Sequence, residues 1–229
     1  MVELYGIRLS ELPPVEKTAS RCAFFDAWHA QHPRCVAESS TLASLGGLLL
    51  LEAAGYTGKL AYTALGRPYL CDLPIDFNYT HTATHVFLAI DRADADGVSP
   101  RIGIDAEDTG RESRIEPERM VMRWFTEGER QAYEEEGGTL EAFLRIWTKK
   151  EAFAKWQGDG LRVLQKSDTC TATAQYGIRF WDYREENSVI SVCARRELAM
   201  PKQIRMLARH ELLERLSEKK TRRNENPDD

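Results

Sequence analysis

The sequence lacks a long apolar run: its longest, residues 42–51, is about half the length of a membrane span and is broken by Ser44, Gly46 and Gly47. It also lacks a basic-then-apolar start. MVELYGIRLSELPP carries acidic residues early, so no signal peptide is expected there. Positive charge is not in excess either. A net charge of −5 argues against a general nucleic-acid binder, which must neutralise a run of phosphates, but leaves room for a local basic pocket. Cysteine is sparse and unpatterned. The five present, Cys22, Cys35, Cys71, Cys170 and Cys193, include no C-x-x-C spacing, which argues against a disulfide framework or zinc knuckle and for reduced thiols in a cytoplasmic protein. What is there is a chain of 229 residues, 42% hydrophobic, enough to bury one large core or two compact halves sharing one.

Helical and extended patterns alternate along the chain without a short repeat. LYGIRL reads as a strand and residues 21–31 as a helix. Ser39 or Ser40 can cap a helix running through Leu51, and Gly55 ends it. LAYTALGRPYL is extended around a Gly-Arg-Pro turn, and FNYTHTATHVFLAI passes from polar turn to apolar strand. The loop over residues 91–100 is the candidate boundary between halves. After it come the strand RIGIDAED, a helix over 117–133 broken at Phe125, and a helix over 140–156. SDTCTATAQYGIRFWDYREENSVISVCA reads as strands joined by turns. The closing EKKTRRNENPDD has no apolar anchors, so residues 216–229 are expected to form a disordered tail.

Three segments carry chemistry. On a strand, Asp105 and Glu107 share one face, about 7 Å apart at their Cα atoms, and can converge on a hard cation. The same pattern also suits a merely solvated strand face. In WTKKEAFAKW, a helix puts Glu151 and Lys155 one turn apart, a spacing that an ordinary surface ion pair shares. The glycine turn that follows, Gly158-Asp159-Gly160-Leu161, stops that helix abruptly. In FNYTHT, Thr80 offers a hydroxyl and His81 an imidazole that can donate to a phosphate oxygen. His81 and His85 also spell H-x-x-x-H, but that zinc spacing belongs to a helix, and no Glu follows His81. His29 and His32 belong on a helix surface.

The order and spacing of these pieces resemble the Sfp-type branch of the 4′-phosphopantetheinyl transferase superfamily. The family reads G-K/R-P-Y, F-N-x-S-H-S, G-x-D-x-E, F-[ST]-x-x-E and W-[ST]-x-K-E-A-x-x-K-x-x-G-x-G-L. This chain offers Gly66-Arg67-Pro68-Tyr69, Phe77-Asn78-Tyr79-Thr80-His81-Thr82, the segment 103–107, Phe125-Thr126-Glu127-Gly128-Glu129, and the segment 147–161. The resemblance implies an α+β fold of two similar α/β halves about a pseudo-two-fold axis, with the active site between them. The halves would span 1–98, on the coenzyme A side, and 99–215, with the metal site and catalytic helix. It further implies transfer of phosphopantetheine from coenzyme A to a serine of an apo carrier protein, acyl or peptidyl, by a cytoplasmic monomer. Asp105, Glu107 and Glu151 would hold Mg²⁺, and Glu151 and Lys155 would be catalytic. Arg67, Pro68, Thr80, His81 and Lys155 would bind coenzyme A.

Not every matched residue is expected at the chemistry. Thr126 and Glu129 fit a helix capping box, and Trp147 is a core anchor. The chain also departs from the family. Residues 38–46 carry no Arg or Lys where basic residues usually grip coenzyme A, the nearest upstream being Arg34, and Ala83-Thr84 replaces the usual glycine and its neighbour. A non-catalytic coenzyme A binder, or a hydrolase using Asp105 and Glu107 as an acid-base pair, stand as the alternatives.

Overall fold

The computed structural model describes residues 1–33, 38–92, 101–111, 116–158 and 164–225. Arg34, Cys35, the 93–100 stretch of the expected boundary and the Asp159-Gly160-Leu161 part of the glycine turn lie outside the described residues. The architecture is mixed α+β, in two sheets with helices packed about them.

The first sheet is built by β1 (Val2–Arg8), β4 (Ile75–His81) and β5 (His85–Arg92), antiparallel in the order β4-β5-β1. Between β1 and β4 run α1 (Val15–Ala19), α2 (Phe25–Gln31), α3 (Glu38–Ala53) and a small ribbon of β2 (Leu60–Tyr62) and β3 (Pro68–Leu70). The apolar stretch seen in the sequence belongs to α3, whose Leu45 and Leu48 to Leu51 are fully buried against β1, β4 and β5. Each such leucine contributes about 1.5–3 kcal/mol of burial, so a helix of uneven polarity is held by packing.

The second sheet runs β6-β8-β7, from β6 (Ile102–Asp108), β8 (Ser188–Arg195) and β7 (Ile178–Glu185), all antiparallel. Before it come α4 (Pro117–Trp124), α5 (Glu127–Glu135) and α6 (Leu140–Gln157), and then α7 (Thr169–Tyr176). The helix break expected at Phe125 is the C-cap of α4, and Thr126 with Glu129 forms the expected capping box of α5. Trp147 is buried in the core shared by α4, α5 and α6. The start of the segment expected to be all strand is instead α7. Asp168 caps it by accepting from the Cys170 amide at 2.8 Å, and Gly177 closes it, so the caps outweigh the strand preference of its threonines.

The two sheets pack face to face, with Phe87 and Ala89 of β5 and Val2 and Leu4 of β1 against Ile104, Ile190 and Val192. After β8 the chain returns to the first half. Its β9 (Arg205–Met206) pairs in parallel with β1, and Leu207, Leu212 and Leu216 join the core under α3. Leu207, Leu212 and Leu216 therefore pack with the opening half, while Met206 lies against the core shared by both sheets. The helix α8 (Arg209–Glu225) also runs through most of the tail expected to be disordered. Its lysine-, arginine- and glutamate-rich sequence favours helix once Leu212 and Leu216 are anchored. Among the described residues no helix is long and apolar enough to cross a membrane.

Candidate functional site

FNYTHT was expected as a turn entering a strand. It lies on β4 itself, with the turn at Thr82–Thr84. Being a strand aligns its alternate polar side chains along β6. Asp76 accepts from the Ile102 amide at 2.8 Å and Asn78 from the Ile104 amide at 3.1 Å. Thr80 donates to Asp105 Oδ1 at 3.1 Å, and the Ala83 amide donates to Asp108 Oδ2 at 3.0 Å. These four polar rungs join the halves and place β4 beside the D-x-E strand. Asp76, Asn78 and Asp108 were not singled out from the sequence. Their partners lie about 26 residues away, and no local pattern announces them.

α6 brings the other face of the site. Thr139 caps its start, and Gly158 ends it at φ 82°, a left-handed conformation suited to glycine. Gly103 of β6 lets the helix approach unusually close: a Cβ there would sit 2.0 Å from the Ala152 carbonyl oxygen. Lys155 then reaches β6, donating to Asp105 Oδ1 at 2.7 Å and to the Ile104 carbonyl at 3.0 Å.

The result is a cavity of about 460 Å³ between the halves. Thr80 and His81 line it from β4, Asp105 and Glu107 from β6, and Glu151 and Lys155 from α6. Asp108 adds a further carboxylate. Burial, with the charge of Asp105 next and that of Glu107 adding, pushes the Glu151 carboxyl up to about 8 against the opposing pull of Lys155. Among the described residues no three His, Cys, Asp or Glu side chains are already drawn together as a metal cage. The donor set nevertheless fits a hard divalent cation. Every candidate ligand is a carboxylate oxygen, Asp105 Oδ2 is buried without a hydrogen-bond partner, and Asp105 and Glu107 set further negative charge beside the buried Glu151.

Arg67 and Pro68 are placed differently. They line a neighbouring cavity of about 270 Å³ that shares Tyr79 and Lys155 with the first. Arg67 has its guanidinium engaged by Asp76 Oδ2 at 2.6 Å, the Ile102 carbonyl at 2.7 Å and the Lys155 carbonyl. It clamps β4, β6 and α6 together. His85 is buried, hydrogen-bonded to Thr84 and stacked on Phe87, whereas His81 is exposed at the cavity, so the two do not act as a pair.

Residues 101–199 match the family model described as the 4′-phosphopantetheinyl transferase superfamily. The chain is also 30% identical over 130 residues to a Haemophilus influenzae protein whose name reads "Putative 4'-phosphopantetheinyl transferase". That alignment spans 51% of this chain and 51% of the relative, about half the length of each.

Proposed function

With residues 101–199 matching the 4′-phosphopantetheinyl transferase superfamily model, we propose that this protein moves the 4′-phosphopantetheine arm of coenzyme A onto a serine of an apo carrier protein, acyl or peptidyl. The observation that carries the reading is one cavity shared by Thr80 and His81 of the first half and by Asp105, Glu107, Glu151 and Lys155 of the second. A pseudo-two-fold relation between halves is part of it, supported by each half setting a long helix, α3 or α6, against three antiparallel strands, β4-β5-β1 or β6-β8-β7. So is a monomer working in the cytoplasm.

Asp105, Glu107 and Glu151 would hold Mg²⁺, which when bound polarises the β-phosphate and offsets its charge. Glu151, which lines the cavity from α6, accepts the proton of the carrier serine. The serine oxygen bonds to the β-phosphorus as the bond to the bridging oxygen breaks, and 3′,5′-ADP departs with the electron pair. Lys155, one turn along the same helix, supplies positive charge to the departing phosphate. His81 donates to a phosphate oxygen, and Thr80, its hydroxyl proton engaged by Asp105, bounds the coenzyme A site beside it. Arg67 and Pro68 shape the adjoining cavity for the nucleotide, with the Arg67 donors already engaged.

Apo acyl and apo peptidyl carrier proteins, each incubated with the protein, coenzyme A and Mg²⁺, should gain the mass of one phosphopantetheine. The gain should vanish with chelator and in Glu151→Gln, which keeps its fold. Near-normal turnover by the folded variant would remove Glu151 from the reaction and sink this assignment.

A further inference from the structure

The helix that delivers Glu151 and Lys155 also carries a charge which the proposed chemistry does not use. Lys150 and Glu129 are both fully buried, with Nζ 2.6 Å from Oε2. The Lys150 ammonium also donates to the Ser167 carbonyl. Glu129 is saturated in turn. Its Oε2 accepts from the Thr126 amide at 2.9 Å, and its Oε1 from the amide and hydroxyl of Thr169 at 3.0 and 2.9 Å. One carboxylate thereby joins the start of α5, the middle of α6 and the start of α7. A capping box explains Thr126 and Glu129, but it requires neither full burial nor a lysine.

Stability is a weak reason for such a pair. Desolvation costs several kcal/mol per ion, and apolar replacements of comparable buried pairs are often neutral or better. A satisfied point-to-point contact supplies a unique position instead. Successive residues of a helix leave it about 100° apart, so a fixed Lys150 dictates the direction in which Glu151 leaves. Other contacts bear on the same helix. The Thr148 and Ser191 hydroxyls lie 2.8 Å apart, and Gly103 sets how near α6 comes to β6. Those fix distance; the lysine fixes rotation.

We propose that the buried Lys150–Glu129 pair is a positioning device that sets the rotation of α6, and so the placement of Glu151 and Lys155 against Asp105. The inference rests on the reading of Asp105, Glu107 and Glu151 as a divalent-cation site. Lys150 touches no substrate; it acts through its neighbour in the chain.

The test uses the full chain with Mn²⁺ as probe, bound and free ion distinguished by electron paramagnetic resonance, alongside circular dichroism and thermal melting. Two variants are compared with the parent. Lys150→Met leaves Glu129 buried without its ion partner, whereas Glu129→Gln/Lys150→Met removes both charges and guards against simple unfolding. Folded variants should bind Mn²⁺ at least about tenfold more weakly than the parent. The double variant should regain melting temperature without regaining Mn²⁺ affinity, a split that a merely structural pair would not produce. A folded double variant whose Mn²⁺ affinity stays within about twofold of the parent overturns the inference, the positioning effect expected being about tenfold. Collapse of both variants also overturns it, by making the pair a folding determinant only. A parent that binds no Mn²⁺ overturns the metal reading and this inference together, so the two failures are told apart by the parent alone.

Discussion

Arg67 and His85 show how far a residue's surroundings redirect its chemistry. An arginine lining a cavity looks like an anion ligand, yet Arg67 holds Asp76 and backbone carbonyls on both sides of the seam. Arg67→Met should therefore destabilise the ligand-free protein by about 2 kcal/mol in chemical denaturation, the pair being partly exposed. An arginine serving nucleotide alone would leave that curve unchanged. His85 is pushed below its ordinary 6.5, chiefly by burial. Its folded form thus binds fewer protons than its unfolded form, and the stability this represents is lost as pH falls below about 6.5. Arg8, Glu185 and Asp108 modulate the shift. His85→Gln should flatten that acid-side decline, as followed by melting temperature between pH 7 and 5. That Asp105, Glu107, Glu151 and Lys155 could meet was legible in the sequence, because strand alternation sets the first two on one face and helical spacing the second two, and the structure brings all four to one cavity. Asp76, Asn78 and Lys150 were not, since each works on a partner that only the fold brings near.

At the scale of elements, local signals served where the determinant was local. The capping box of α5 and the glycine end of α6 stand within a few residues of what they terminate. Reading β4 as a turn failed because its polar residues suit a turn by composition, while their actual purpose is to pair with β6. Reading α7 as strand failed for the converse reason, since threonines favour strands until caps intervene. The contact between α6 and β6 is the most demanding of these. Gly103→Ala would drive a methyl group into the backbone of α6, 2.0 Å from the Ala152 oxygen and 2.7 Å from the Trp156 nitrogen. Backbone cannot swing aside as a side chain can, so the substitution should cost at least about 3 kcal/mol and weaken divalent-ion binding in whatever fraction folds. Urea denaturation and the Mn²⁺ titration measure the two effects separately.

For the whole molecule, the mixed α+β class was legible, but the return of the chain to the first sheet was not. Residues 207–216 carry leucines at helical spacing, which says only that a helix has an apolar side, not which core receives it. The structure gives Leu212 to the first half, fully buried. Leu212→Ala should lower stability by about 3 kcal/mol, whereas a helix lying loosely on the surface would tolerate it within about 0.5 kcal/mol. That return of the chain has a consequence for its synthesis. Chains are made from the amino end, and domains commonly fold as they emerge. Here β1 waits for β9 and the core under α3 waits for Leu207, Leu212 and Leu216, so the first sheet is completed only by residues made after the second. A ribosome stalled shortly before residue 204 would present an opening half with its apolar floor uncovered, a nascent species expected to need chaperone shelter until α8 is released.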